Sequence, residues 1–146
     1  MAYVREQVLA RLLELARAVP GIVAAERNVS DVSKLKRPGI AIRDGSEVLL
    51  SQPRNQRRSE IQLMQSAPAV WLYVGAGAAD QGTLINKFMA AYLKAVLTDA
   101  DLLALVGTNG EIRYEGASLE DPEPEGREAR MEISLVFVYP FQASAL

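Results

Sequence analysis

The chain has 146 residues, 49% hydrophobic and 23% charged, which fits one folded domain and argues against disorder. Its formal net charge is −2, whereas general nucleic-acid binders are usually basic. It contains neither cysteine nor histidine, which excludes disulfides, thiolate nucleophiles, imidazole bases and ordinary zinc centres. No apolar run approaches the roughly 20 residues that span a bilayer, and the first residues lack a signal-peptide pattern. We therefore expect a protein made in the cytoplasm, without a membrane partner.

The first third of the chain predicts one helix followed by short strands. Apolar residues at three- and four-residue spacings predict a helix over Val4 to Val19. Strands are expected over Ile22 to Arg27 and over Gly39 to Arg43. Asp44-Gly45 is a strong turn signal, so a separate short strand is expected over Glu47 to Leu50.

The middle of the chain predicts a long strand interrupted by a proline. Ile61 to Met64 and Ala69 to Val74 are both strand-like and flank Pro68. Because proline cannot donate to a central ladder, we expect a bend or bulge there, within one long strand or hairpin.

Two helices and a strand are expected next. Asp80 is a candidate cap for a helix over Thr83 to Leu97, which has a broad apolar face. Thr98 and Asp101 resemble a capping box for a short helix over Asp99 to Val106. Asn109-Gly110 then turns into a strand over Glu111 to Tyr114.

The terminal strand, Gly126 to Phe141, has apolar residues at every odd position from 129 to 139. Its even positions begin polar and become apolar at Val136 and Val138. No other predicted element obviously covers these two valines. We therefore expect Val136, Val138 and Phe141 to lie at or near a subunit contact. The alternative is a bent sheet that covers them within the chain.

Two polar loops of opposite charge are candidate contact surfaces. Residues 51–60 contain Arg54, Arg57 and Arg58 without any aromatic residue for base stacking, and residues 120–126 are acidic. Simple solvation of either loop is the alternative. The acidic loop lacks the pattern of an EF-hand, and Gly75, Gly77 and Gly82 do not match a dinucleotide fingerprint. We therefore expect no metal, no cofactor and no catalytic residues.

The elements together predict a single α+β domain over residues 1–146. Short connections between strands favour one mainly antiparallel sheet, with the two main helices packed on one face. The predicted order is helix, two or three strands, a further strand, helix, short helix and two strands.

The order of these features resembles the tail terminator, or tail-completion, proteins of long-tailed bacteriophages. The landmarks are the opening helix, Arg27-Asn28, Arg37-Pro38, Asp44-Gly45, Asn86 in the second long helix, residues 99–102, residues 107–114, and the closing Tyr139-Pro140-Phe141. They span nearly the whole chain.

This resemblance implies a structural virion protein with an α+β fold and no enzymatic activity. The implied assembly is a homo-oligomeric ring, expected to be a hexamer, which caps the tail tube and contacts the tail tube protein and the head–tail connector. DNA is expected to pass through the ring without sequence-specific recognition. Three alternatives remain open: another head–tail joining or neck protein, a nucleic-acid accessory protein acting through the arginine loop, and a small enzymatic domain using tyrosines and carboxylates.

Overall fold

The computed structural model describes residues 3–50, 61–75, 80–120 and 128–142. Within these ranges, three α-helices lie on one five-stranded sheet, which confirms the predicted α+β class. In chain order the elements are α1 (Val4–Arg17), β1 (Ala24–Arg27), β2 (Gly39–Leu49), β3 (Gln62–Val74), α2 (Gln81–Leu97), α3 (Ala100–Val106), β4 (Glu111–Glu120) and β5 (Ala129–Phe141).

The strands follow the spatial order β1-β2-β3-β5-β4, so β1 and β4 form the two edges of the sheet. β1 pairs with β2 in parallel, and all other pairs are antiparallel. The parallel pair requires a crossover between β1 and β2. Residues 28–38 form it, including a 3₁₀ turn at Val32–Lys34.

The two faces of the sheet are covered differently. α1 lies over β1 and β2, α2 over β3 and β5, and α3 over β5 and β4. The main hydrophobic core lies between these helices and this face, which we call the helix face. On the opposite, outer face, Leu35 of the crossover packs on Ala41 and Tyr73. The crossover is therefore a partial second cover for the β1 side of the sheet.

The core contains a fully buried phenol whose hydrogen bond joins two helices. Tyr92 of α2 is completely buried, and its hydroxyl donates to the Leu12 carbonyl of α1 at 3.1 Å. Burial raises the pKa of Tyr92. The buried hydroxyl therefore stays protonated and ties the two long helices together.

The expected turn at Asp44-Gly45 is wrong, because β2 runs unbroken from Gly39 to Leu49. The pairing of β2 with β3 shifts between Arg43 and Ser46, so Asp44 and Gly45 together lie opposite Pro68. This is a β-bulge. Pro68 has no N–H to offer β2, which is why the ladder is irregular here, as expected.

Other element boundaries also differ from the sequence expectations. The cap of α3 is Asp99, whose carboxylate accepts from the Leu102 N–H at 3.0 Å, whereas the Thr98 hydroxyl donates to the Lys94 carbonyl at 2.6 Å. The predicted capping box is therefore wrong. Asp80 precedes α2 in a left-handed conformation and makes no side-chain capping bond.

The strand predicted to end at Tyr114 continues as β4 to Glu120. Its register with β5 shifts between Tyr114 and Gly116, and Gly116 has φ of +126°. A bulge at Gly116 thus allows β4 to continue, although the alternation of apolar and polar residues is interrupted there. As a result the sheet has a ten-residue edge strand.

Candidate assembly surfaces

The valines predicted at a subunit contact are covered within a single chain. Val136 is 5% and Val138 3% exposed, so the expectation that they lack cover is wrong. β5 lies between β3 and β4, where Val138 is paired with Gln65 on one side and Glu111 on the other. Their burial agrees with the alternative of cover within the chain. That they take part in a subunit contact stays a prediction.

The remaining predicted contact residues have different positions. Phe141 is partly buried, and its ring meets the edge of the Tyr3 ring at a centroid distance of 6.3 Å. Arg54, Arg57 and Arg58 lie in residues 51–60, outside the described residues. Most of the acidic loop, residues 121–127, is also outside them, and Glu120 forms an ion pair with Arg130 at 2.6 Å.

A carboxylate with two tyrosines lies between the start of α1 and the sheet. The hydroxyl of Tyr3 donates to one oxygen of Glu47 at 2.6 Å, and the Tyr139 hydroxyl donates to the other. Burial, followed by the hydrogen bond to Glu47, raises the pKa of both phenols. Both therefore stay protonated at neutral pH and act as donors, not as bases or nucleophiles. The cluster joins α1, β2 and β5.

Two landmarks of the phage resemblance meet at one corner of the fold. The Arg27 guanidinium donates to both oxygens of Asp44 at 2.7 and 2.9 Å and to both oxygens of Glu6 at 2.7 and 2.8 Å. The side-chain oxygen of Asn28 accepts from the Asp44 N–H at 3.1 Å. Hydrogen bonds from Arg27 hold the pKa of both carboxyls below their usual range. The bulge at Asp44-Gly45 is thus held in place by the side chains of Arg27 and Asn28.

A second arginine fixes the crossover to the sheet. Arg37 donates to the two oxygens of Glu128 at 2.7 and 3.1 Å, and its Nη1 donates to the carbonyls of Val32, at 2.6 Å, and Leu35. Its guanidinium lies 4.9 Å from the centre of the Tyr73 ring. This side chain therefore links the crossover, β3 and the residue before β5.

Asp99 both caps α3 and receives a forked bond from Arg11 of α1, at 3.0 and 2.7 Å. We expect Asp99→Ala to lower the free energy of unfolding by about 1–2 kcal/mol, because α3 loses its cap. Asp99→Asn keeps an acceptor oxygen for the cap and should lose less.

The hydrogen bond from Arg11 holds the pKa of Asp99 below its usual value. This stabilisation is complete above the unfolded pKa of about 3.9 and is lost as the pH falls through the lower folded value. Urea unfolding at pH 7 and in steps from pH 5 to 2 measures both effects. The difference between wild type and Asp99→Asn should shrink in acid, and a constant difference would contradict this origin.

One edge of the sheet combines exposed apolar residues with carboxylates. On the helix face of β4, Tyr114 is 40% and Leu119 39% exposed. On the outer face of β4 lie Glu111, Arg113 and Glu120, since they pair with Val138, Val136 and Arg130. We call this surface the β4 end; its charged residues are Glu111, Arg113, Glu115, Glu120, Arg130 and Glu132.

The other edge combines a groove that contains an exposed valine with cations. A groove of about 320 Å³ beside β1 is lined by residues of α1, the following turn and β1. Val23 in this groove is 60% exposed. On the outer face lie Lys34 and Lys36, on either side of Leu35, and Arg43 of β2. We call this surface the β1 end; its members are Arg17, Ile22, Val23, Ala24, Ala25, Glu26, Asp31, Lys34, Lys36 and Arg43.

Sequence reasoning did not identify these two ends. The alternation of Ala117, Ser118, Leu119 and Glu120 was the available signal that β4 is long, but Gly116 interrupts the pattern. Nothing in the sequence pattern shows that Lys36 and Arg43 share one face, because that depends on the crossover.

Among residues 3–50, 61–75, 80–120 and 128–142, no three acidic side chains are grouped closely enough to hold a metal ion. None of the helices in these ranges combines the length and apolar character needed to cross a membrane. Comparison with known proteins returned no match, either to a protein-family model or to a curated sequence.

Proposed function

We propose that this chain is a tail terminator of a long-tailed bacteriophage, a structural protein of the virion tail. It closes the tail tube as a homo-oligomeric ring and forms the joint to the head–tail connector. The observation that supports this most is the pair of unlike edges of one sheet, the β1 end and the β4 end. A ring subunit needs two different surfaces that mate with each other, because head-to-tail contacts close by rotation.

The local chemistry of the described residues suits a structural role. The clusters around Arg27, Arg37 and Glu47 consist of donors matched to acceptors and connect distant parts of the chain. Such networks make a domain rigid. Four landmarks of the phage resemblance have residues in these clusters, so that part of the resemblance concerns residues that fix the fold; they are Arg27-Asn28, Arg37-Pro38, Asp44-Gly45 and Tyr139-Pro140-Phe141. Another head–tail joining or neck protein would need the same features and remains the alternative.

The test is assembly in the presence of tail tubes. Mass photometry of the purified chain, alone and with tail tube protein, should show a closed oligomer, six copies being the number implied by the resemblance. Electron microscopy should show this oligomer at one end of each tube. Tubes polymerised with the chain should stop at a defined length, and tubes without it should continue to grow. A chain that remains monomeric and never binds tubes would overturn the proposal.

A further inference from the structure

The two ends of the sheet are complementary. Both expose apolar side chains on the helix face, and they carry opposite charges on the outer face. We infer that neighbouring copies join edge to edge, with β4 of one copy beside β1 of the next, so that the sheet continues across the contact. This inference rests on the proposed ring and specifies the surface through which its subunits meet.

The first argument is the state of the β4 edge. Only β5 pairs with β4 in the described residues, so the other side of this ten-residue strand offers backbone donors and acceptors. Of the features that protect long edges in natural proteins, β4 has a bulge and charged side chains but neither proline nor lysine. Strand addition to such an edge is a common form of recognition. At β1, Arg17 already donates to the Ala25 carbonyl at 3.3 Å, so pairing there would use the other backbone groups.

The second argument is the match between faces. At the β4 end the exposed apolar side chains, Tyr114 and Leu119, lie on the helix face. At the β1 end Val23 lines a groove with Arg17 of α1, and Ile22 in the same groove packs against the helix-face core. If the sheet continues without turning over, apolar side chains of both copies meet on the helix side. An apolar centre with a charged rim is the usual anatomy of an interface.

The third argument is charge on the outer face. The β4 end carries four carboxylates against two arginines; the carboxylates are Glu111, Glu115, Glu120 and Glu132. The β1 end carries Lys34, Lys36 and Arg43 against Glu26 and Asp31, and none of these three cations forms an ion pair among the described residues. In the continued sheet these opposite charges face each other. This arrangement selects head-to-tail pairing over pairing of two acidic edges.

Charge reversal tests this arrangement. One variant carries Glu111→Lys, Glu115→Lys and Glu120→Lys; the other carries Lys34→Glu, Lys36→Glu and Arg43→Glu. Each alone should associate at least about tenfold more weakly than wild type, because like charges then face each other. An equal mixture of the two should assemble, and so should one chain carrying all six changes. Assembly of each single variant at wild-type strength, or failure of the mixture with both variants folded by circular dichroism, would overturn the inference.

Disulfide trapping provides a second test that leaves the charge pattern largely intact. The chain has no cysteine, so Ser118→Cys on β4 and Glu26→Cys on β1 each introduce a single thiol. Both residues are exposed and lie on the outer face. Under mild oxidation an equal mixture should give mixed dimers at several times the yield of either variant alone. Dimers of Ser118→Cys alone, at equal or higher yield, would show that two β4 strands pair and would overturn the inference.

The two proposals fail in different ways. If wild-type protein forms no ring with or without tail tubes, the proposed function is wrong. If wild-type rings form but the charge-reversed variants assemble normally and no mixed disulfide appears, only the edge-to-edge contact is wrong.

Discussion

Replacing Gly45 by alanine is expected to lower the free energy of unfolding by about 2–5 kcal/mol. Gly45 has φ of +70°, a conformation unfavourable for residues with a Cβ atom. A Cβ atom there would also lie 2.0 Å from the Ala67 carbonyl oxygen, which belongs to the backbone of the neighbouring strand. Ala67 lies between Ser66 and Ala69, which pair with β5 and limit how far this backbone can move. Left-handed strain and steric overlap therefore add at this position.

Gly107→Ala is the matched control. Gly107 has nearly the same φ, +72°, but a Cβ atom there would meet nothing within 4 Å. Its replacement should therefore cost only the conformational strain, which at this φ with ψ of −174° is about 1–3 kcal/mol. Urea unfolding followed by circular dichroism measures both variants. Equal losses at the two positions would show that β3 yields at the bulge and that the overlap is relieved.

Replacing Arg37 by alanine is expected to lower the free energy of unfolding by about 3–5 kcal/mol. The change removes the forked bond to Glu128, two bonds to crossover carbonyls and the contact with the Tyr73 ring. It also leaves the partly buried Glu128 carboxylate without its cation. Because the crossover carries Lys34 and Lys36, this variant should also associate more weakly.

Arg37→Lys separates charge from geometry. Lysine keeps the positive charge but cannot fork onto a carboxylate while donating to two carbonyls. It should therefore recover only part of the lost stability. A double-mutant cycle with Glu128→Gln measures the coupling across these 91 residues of sequence, expected to be at least about 1 kcal/mol. Full recovery by lysine, or a coupling near zero, would contradict the importance of the fork.

The elements with strong periodicity were predictable from the sequence. The apolar stripes of α1 and α2 and the alternation of β5 gave their type and approximate limits, because those patterns depend on one local period. The expectation of a turn at Asp44-Gly45 is wrong for a related reason. Locally it has the composition of a hairpin turn, but Pro68 on the next strand and Arg27 from β1 determine that it is a bulge. The parallel pairing of β1 with β2 also depends on distant contacts.

The candidate surfaces were less predictable because they depend on strand order. Val136 and Val138 show in the sequence only that both faces of β5 are apolar. Their burial depends on the rest of the fold, which no local pattern contains. Similarly, Glu111 and Arg43 become parts of opposite ends only once β4 and β1 are known to be the edges.

The position of β5 has a consequence for how the protein is made. β3 and β4 are both synthesised before β5, but in the finished sheet they are joined only through it. A nascent chain that has reached β4 therefore has no strand beside which β4 can pair. β4 and β5 are consecutive strands, whereas β3 and β5 are separated in the chain by α2, α3 and β4. Translation order thus delays completion of the β4 end until β5 has been added, and the proposed edge-to-edge contact would become available only then.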